Sequence, residues 1–158
     1  MTTLRRTNVR GIIFKDGKLL VTKFRQDDDQ EPDWWGTFGG GLDPNEPILE
    51  GLYREMIEET GVAPKIGNLL FIQQFHDGEK EQFELFFHIT NAEDYQSFSL
   101  EDTSHGALEL VRHAFVDPKT NDIYPQFLSQ VDIQAYIDGK QPVYVFNELP
   151  TTLKTAIA

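Results

Sequence analysis

The chain has 158 residues, 39% of them apolar, with no cysteine and a formal charge of −12. Its length and apolar fraction suit one compact domain with its own core, expected over residues 1–158. Lack of cysteine removes disulfides, thiolate metal ligands and a cysteine nucleophile, and the acidic balance disfavours nucleic acid and anionic membranes, whose binding relies on Lys and Arg.

From the N-terminus, MTTLRRTNVRG is basic but no apolar run follows it, and nowhere do about 18 apolar residues run together, so a soluble cytoplasmic protein is expected. Residues 1–26 carry Arg5, Arg6, Arg10, Lys15, Lys18, Lys23 and Arg25 against Asp16, a net of +6 that leaves −18 for the other 132 residues. Such a basic edge on an acidic body suits a small phosphorylated ligand, although a solvated strand surface is the better explanation for most of these charges. NVRGIIFKDGKLLVTKF reads as two strands joined at Asp16-Gly17, a pair that supplies the positive φ angles of a type I′ turn. Residues 25–33 are acidic and turn-rich, hence a loop, and lead into WWGTFGGG. In an alternating strand Trp34 and Trp35 face opposite ways.

A helix is expected from Pro47, suited to its first position, to Thr60, with Asn45 or Glu46 as cap and Gly61 just past its end. Leu49, Leu52, Tyr53, Met56, Ile57 and Thr60 form its apolar side. Two strands, IGNLLFIQQF and EQFELFFHIT, flank the turn HDGEK, and ALELVRHAFV reads as a third. YPQFLSQVDIQAYIDG gives one or two short helices closed by Gly139, and PVYVF a last strand before a tail at 150–158. This order, without βαβ repetition, predicts an α/β (α+β) fold with a mixed central sheet and helices packed on it. The apolar strands within 69–89 are a candidate edge for a homodimer.

Glu55, Glu58 and Glu59 project within a turn of one another at the C-terminal end of that helix, on a face expected to lie opposite the apolar side. Like charges at this spacing repel by a few tenths of a kcal/mol per pair, and the helix dipole adds to the penalty. Hard oxygen ligands without a neutralising lysine suit a divalent cation, Mg²⁺ or Mn²⁺, while a solvated acidic face explains the glutamates about equally well. Gly51 on the same face leaves room for a metal or phosphate, and Arg54 can hold a carboxylate rotamer.

The run from Gly40 to Val62, GGLDPNEPILEGLYREMIEETGV, resembles the Nudix box throughout: a glycine, Glu46, Arg54-Glu55, Glu58-Glu59, then Gly61 and an aliphatic residue at the family's spacing. Trp35 stands where that family often carries a Trp before Pro-Gly-Gly, with Phe38 in place of the proline. The resemblance implies a Nudix-type α/β/α sandwich and a hydrolase that cleaves a nucleoside diphosphate linked to another group, using Mg²⁺ or Mn²⁺. It implies Glu55, Glu58, Glu59 and the carbonyl of Gly39 as metal ligands, Arg54 as the residue orienting the glutamates, and Glu46 as a brace between loop and helix. The general base is then Glu55 or Glu59 in the box, or Glu101, Asp102 or Glu109 outside it.

For the substrate's phosphates the candidates are Lys23 and Arg25 beside the backbone of Gly39 and Gly40, then Arg10, with ion pairs to Asp27–Asp29 as the competing role. Trp34, Phe75 or Phe83 could stack on a base, although aromatics at strand spacing are more often core. The four histidines, His76, His88, His105 and His113, show no metal-ligand spacing. Two other functions compete. A nucleotide-binding module without turnover has no need of the intact glutamates, and the isoprenoid diphosphate isomerases of the family rely on a cysteine that this chain lacks. The expected substrate is a nucleoside triphosphate or a small nucleotide derivative, with no nucleic acid and no membrane as partner.

Overall fold

β1 (Arg5–Ile12) carries Ile12 and is followed by Ile13, both fully buried, so strand alternation breaks at this point. In the computed structural model, which describes residues 4–150, the break passes the chain from one sheet to another. β2 (Phe14–Lys15) and β3 (Lys18–Phe24) form the hairpin, with Asp16 and Gly17 at φ 52° and 77° as an Asp-Gly turn requires. β1 itself does not pair with β3, contrary to the expectation of one continuous hairpin strand. It lies antiparallel to β4 (Gly39–Gly41) and parallel to β6 (Glu81–Ile89).

The mixed five-stranded sheet has the order β4-β1-β6-β5-β8, where β5 spans Ile66–His76 and β8 Tyr144–Asn147. A second sheet, β2-β3-β7, ends on β7 (Leu110–Val116). β5 and β6 are both interior strands, so the segment 69–89 is not the edge of the sheet expected for a dimer, although β8 covers only Phe71–Gln74 of β5; β4 and β8 terminate the sheet among the described residues. α1 (Ile48–Thr60) covers one face, where Val9, Phe38, Leu52, Met56 and Ile89 form a core. On the other face Ile12, Phe71, Phe86, Phe127 and Leu128 pack below α3 (Ile133–Ile137). Helices on both faces of a mixed sheet give the α/β/α arrangement.

Several local expectations change. Pro47 is extended (ψ 144°) and precedes the helix instead of opening it, and neither Asn45 nor Glu46 caps it with a side chain. Gly61 closes α1 in the left-handed region, its N–H donating to the Ile57 carbonyl at 2.9 Å. Residues 107–109, expected to be strand, belong to the short helix α2 (Gly106–Glu109). A Cβ at Gly106 would collide with Thr103 and stand 2.6 Å from the Glu59 carbonyl, so this turn reaches the end of α1 because it begins on a glycine. The expected tail beyond Pro150 lies outside the described residues.

Candidate active site

α1 buries a face different from the one its apolar residues suggest. Glu55 and Glu59 sit inside with Leu52, Met56 and Thr60, whereas Leu49, Tyr53 and Ile57 are exposed. The cause is long-range: α1 lies over the glycine strand β4, whose missing side chains admit the two carboxylates. A Cβ on Gly40 would stand 2.7 Å from the Glu55 carboxylate. Gly39, at φ 131°, donates its N–H to Glu59 Oε2 at 2.9 Å, and a Cβ there would collide with the Val9 carbonyl.

Arg54 organises the box from the rim. Nε and Nη2 donate to the two oxygens of Glu46 at 2.7 and 2.8 Å, Nη2 reaches the Gly41 carbonyl at 3.1 Å, and Nη1 donates to Glu55 at 3.0 Å and Glu58 at 3.1 Å. Glu46 also accepts the N–H of Asp43, so it ties the loop to the helix, and Arg54 holds its carboxyl down at about 2. The space at Gly51 is filled by Leu42 and Glu46, not by room for a ligand as the sequence suggested. Gly51 therefore serves loop packing.

Electrostatics divide the carboxylates. Glu59 is 1% exposed, and burial pushes its carboxyl up to about 8 against the relief from Gly39 N–H and Arg10. Burial raises Glu55 as well, opposed by Arg54. Glu109 adds repulsion to both, so the end of α2 brings this carboxylate to face the box, while Glu101 and Asp102 lie exposed in a neighbouring 3₁₀ turn. No group of three or more His, Cys, Asp or Glu among the described residues is gathered as a ready metal centre, and Arg54 stands between Glu55 and Glu58. The donor chemistry nonetheless fits a hard divalent cation: three carboxylates, two of them raised first by burial and then by neighbouring carboxylates, near the carbonyl of Gly39.

Next to the box opens a cavity of about 470 Å³ bounded by Phe24, Trp34, Phe75 and Tyr124. Arg10 joins the two regions. Its Nε donates to Glu84 Oε2 at 3.0 Å and its Nη1 to the Gly39 carbonyl at 2.9 Å and the Thr37 carbonyl at 3.4 Å. Lys23 and Arg25 are engaged away from the cavity lining. Lys23 Nζ lies 3.3 Å from Glu31 and 4.8 Å above the Trp35 ring. Arg25 donates to the Ala107 carbonyl at 3.0 Å and approaches Asp29 at 3.9 Å. Trp34 and Trp35 do face different ways: Trp34 meets Tyr124 edge-on at 5.4 Å in the cavity wall, and Trp35 joins a core. Phe83 is outside the cavity lining. His76 lines the cavity, and His105 lies 3.7 Å from Glu58. The sequence did not single out Glu84, Gln73 or Tyr124; for Glu84 the available signal was the alternation of polar Gln82 and Glu84 along β6, and for Gln73 and Tyr124 there was none.

Residues 4–130 match the NUDIX domain, and the chain belongs to that family of hydrolases, which act on phosphoric anhydride bonds and typically use a divalent metal. It is 31% identical over 113 residues to a protein of Escherichia fergusonii named nucleoside triphosphatase NudI, a match covering 60% of this chain and 80% of that one. To the protein of the same name from Escherichia coli O1:K1 / APEC it is 32% identical over 91 residues, 52% of this chain and 64% of the relative. Among solved structures, the E. coli ORF135 protein superposes with a TM-score of 0.68 at 19% identity, over 89% of this chain and 95% of that one. A MutT NUDIX hydrolase from Burkholderia pseudomallei gives 0.61 at 21% identity, over 82% and 99%. These two structural likenesses concern the fold. No helix among the described residues is long and apolar enough to cross a membrane.

Proposed function

We propose that this chain hydrolyses a pyrophosphate bond in a nucleoside triphosphate or a small nucleotide derivative with Mg²⁺, or Mn²⁺, held by Glu55, Glu58, Glu59 and the Gly39 carbonyl. The observation that carries this reading is the placement of buried, mutually repelling carboxylates beside an aromatic-walled cavity, with Arg10 spanning both. Relatives named nucleoside triphosphatase support the triphosphate class. A divalent cation at the glutamates would offset pyrophosphate charge and lower the pKa of a water for attack on phosphorus.

The chain's own residues have separable tasks. Arg54 fixes the rotamers of Glu55 and Glu58 and braces the loop through Glu46. Arg10, whose Nε and Nη1 are held by Glu84 and Gly39, offers its remaining Nη2 between cavity and box to a phosphate oxygen. Glu55, Glu59 and the facing Glu109 are the carboxylates placed to accept the proton of the attacking water. Trp34 with Tyr124 and Phe24 offers a wall for a base. Lys23 and Arg25, bound to Glu31 and to the backbone before β7, serve phosphates only if those contacts open.

The test is product release from nucleoside triphosphates, nucleotide sugars, ADP-ribose and dinucleoside polyphosphates, with Mg²⁺ or with EDTA. Metal-dependent turnover of the triphosphates is expected. Absence of turnover throughout, with nucleotides still raising the melting temperature, would make the chain a binding module.

A further inference from the structure

One acid stands beside the path proposed for the phosphates, where charge alone disfavours it. Glu84 on the interior strand β6 lines the cavity, its side chain 8% exposed. Among the described residues its one hydrogen bond comes from Arg10, whose Nε donates to Oε2 at 3.0 Å. Other donors at alternate positions of β1 and β6 are engaged elsewhere: Asn8 Nδ2 donates to Gln82 at 2.8 Å, and Gln82 Nε2 to Asp77 at 2.7 Å. Removing one member of a buried ion pair strands the other charge, so Glu84 and Arg10 hold each other firmly. β1 and β5 flank β6 and fix the root of Glu84, while the Gly39 carbonyl takes Arg10 Nη1 at 2.9 Å and the Phe24 ring lies 5.8 Å from the guanidinium carbon. Among the described residues only Nη2 of this fork has no partner.

We infer that Glu84 is a positioning residue: by holding Nε of Arg10 it sets the guanidinium so that Nη2 meets a phosphate of the bound nucleotide, and it acts on that ligand through Arg10 alone. The inference rests on the proposed reading of Arg10 as a phosphate ligand. An arginine ordered before the ligand arrives loses less freedom on binding, and its planar fork keeps one direction once two of its nitrogens are fixed. The partner that orders it is rooted on a strand paired along both sides, which holds the fork more closely than a loop residue would.

The experiment uses the full chain with Glu84→Asp, which keeps the charge but draws it back by a methylene, Glu84→Gln, which keeps the reach without the charge, Arg10→Met, and Glu84→Asp combined with Arg10→Met. Calorimetry with Mg²⁺ measures binding of the α,β-methylene analogues of ATP, CTP, GTP and UTP and of the matching nucleosides, beside steady-state turnover of the triphosphates. Arg10→Met is expected to weaken analogue binding by about tenfold or more, and Glu84→Asp by about fivefold or more, through KM more than kcat. Glu84→Gln should lose less than Glu84→Asp, nucleoside binding should not change, and Glu84→Asp should add no loss once Arg10 is Met. With Arg10→Met weakening the analogues, unchanged or tighter binding by Glu84→Asp overturns the inference. A loss that persists in the Arg10→Met background, or that falls equally on nucleosides, also overturns it, since Glu84 would then touch the ligand or shape the cavity itself. If no analogue binds, or Arg10→Met has no effect, the reading of Arg10 fails and the inference with it. Should wild type bind but not turn over, the hydrolytic reading fails and the binding cycle alone decides the role of Glu84. If Arg10→Met does not fold, the Glu84 variants decide: a loss confined to the triphosphate analogues supports the inference, and an equal or absent loss overturns it.

Discussion

Replacing Glu59 by Gln in the metal-free protein is expected to flatten the dependence of its stability on pH. The Glu59 carboxyl titrates at about 8 in the folded chain against an ordinary 4.5. Between those two values the folded state holds a proton that the unfolded chain has released, so stability falls as pH rises. The contribution is full below 4.5, where both states are protonated, and is lost once pH passes about 8. At about 1.4 kcal/mol per pH unit the gap is linked to about 5 kcal/mol, large beside a total stability of roughly 5–15 kcal/mol. Gln keeps the shape and an oxygen for the Gly39 N–H now held at 2.9 Å, and it has no charge to lose. Urea unfolding in EDTA from about pH 5 to about pH 9 measures the difference between the two proteins. That difference should widen by several kcal/mol in favour of Glu59→Gln toward alkaline pH, and added Mg²⁺ should recover stability in wild type alone. A difference that stays constant within about 1 kcal/mol across the range would refute the assignment of Glu59 as a buried carboxyl held against its charge.

Other consequences are simpler to check. Arg54→Lys loses the two-pronged grip on Glu46 and one donor shared by Glu55 and Glu58, so turnover should drop about tenfold or more with a lower melting temperature. Gly106→Ala forces a Cβ into Thr103 and the Glu59 carbonyl and should cost about 1–3 kcal/mol in urea unfolding. The backbone N–H groups of Lys80 and Glu79, then the Gln82 side chain, hold Asp77 at about 2. Its stabilisation is present above the ordinary 3.8 and fades as pH falls toward 2, so Asp77→Asn should be less stable than wild type near neutrality, with the gap closing in acid titrations.

Features written in local chemistry were legible from sequence. Asp16-Gly17, Gly61 and Gly139 mark their turns through positive φ angles, and the spacing from Gly40 to Val62 alone identifies the box. What escaped was decided by partners far along the chain. The buried face of α1 follows the glycines of β4, so Glu55 and Glu59 went inside and Tyr53 and Ile57 outside, against the apolar pattern. Ile13 looked like one more strand residue, yet it marks where the chain changes sheets. Arg10 ranked below Lys23 and Arg25 as a phosphate ligand because its neighbours in space, Glu84 and Gly39, lie 74 and 29 residues away. Likewise nothing near Lys23 in sequence announced Glu31 and Trp35 as its contacts.

Most direct for the proposed chemistry is Mg²⁺-dependent release of pyrophosphate or phosphate from a nucleoside triphosphate, followed side by side for wild type and Glu59→Gln at matched folded concentration. Turnover in wild type that EDTA abolishes, and that falls by about a hundredfold or more in a folded Glu59→Gln, is the predicted result. Near-normal turnover by the mutant, or wild-type turnover indifferent to EDTA, would contradict the placement of the metal and the chemistry at these glutamates.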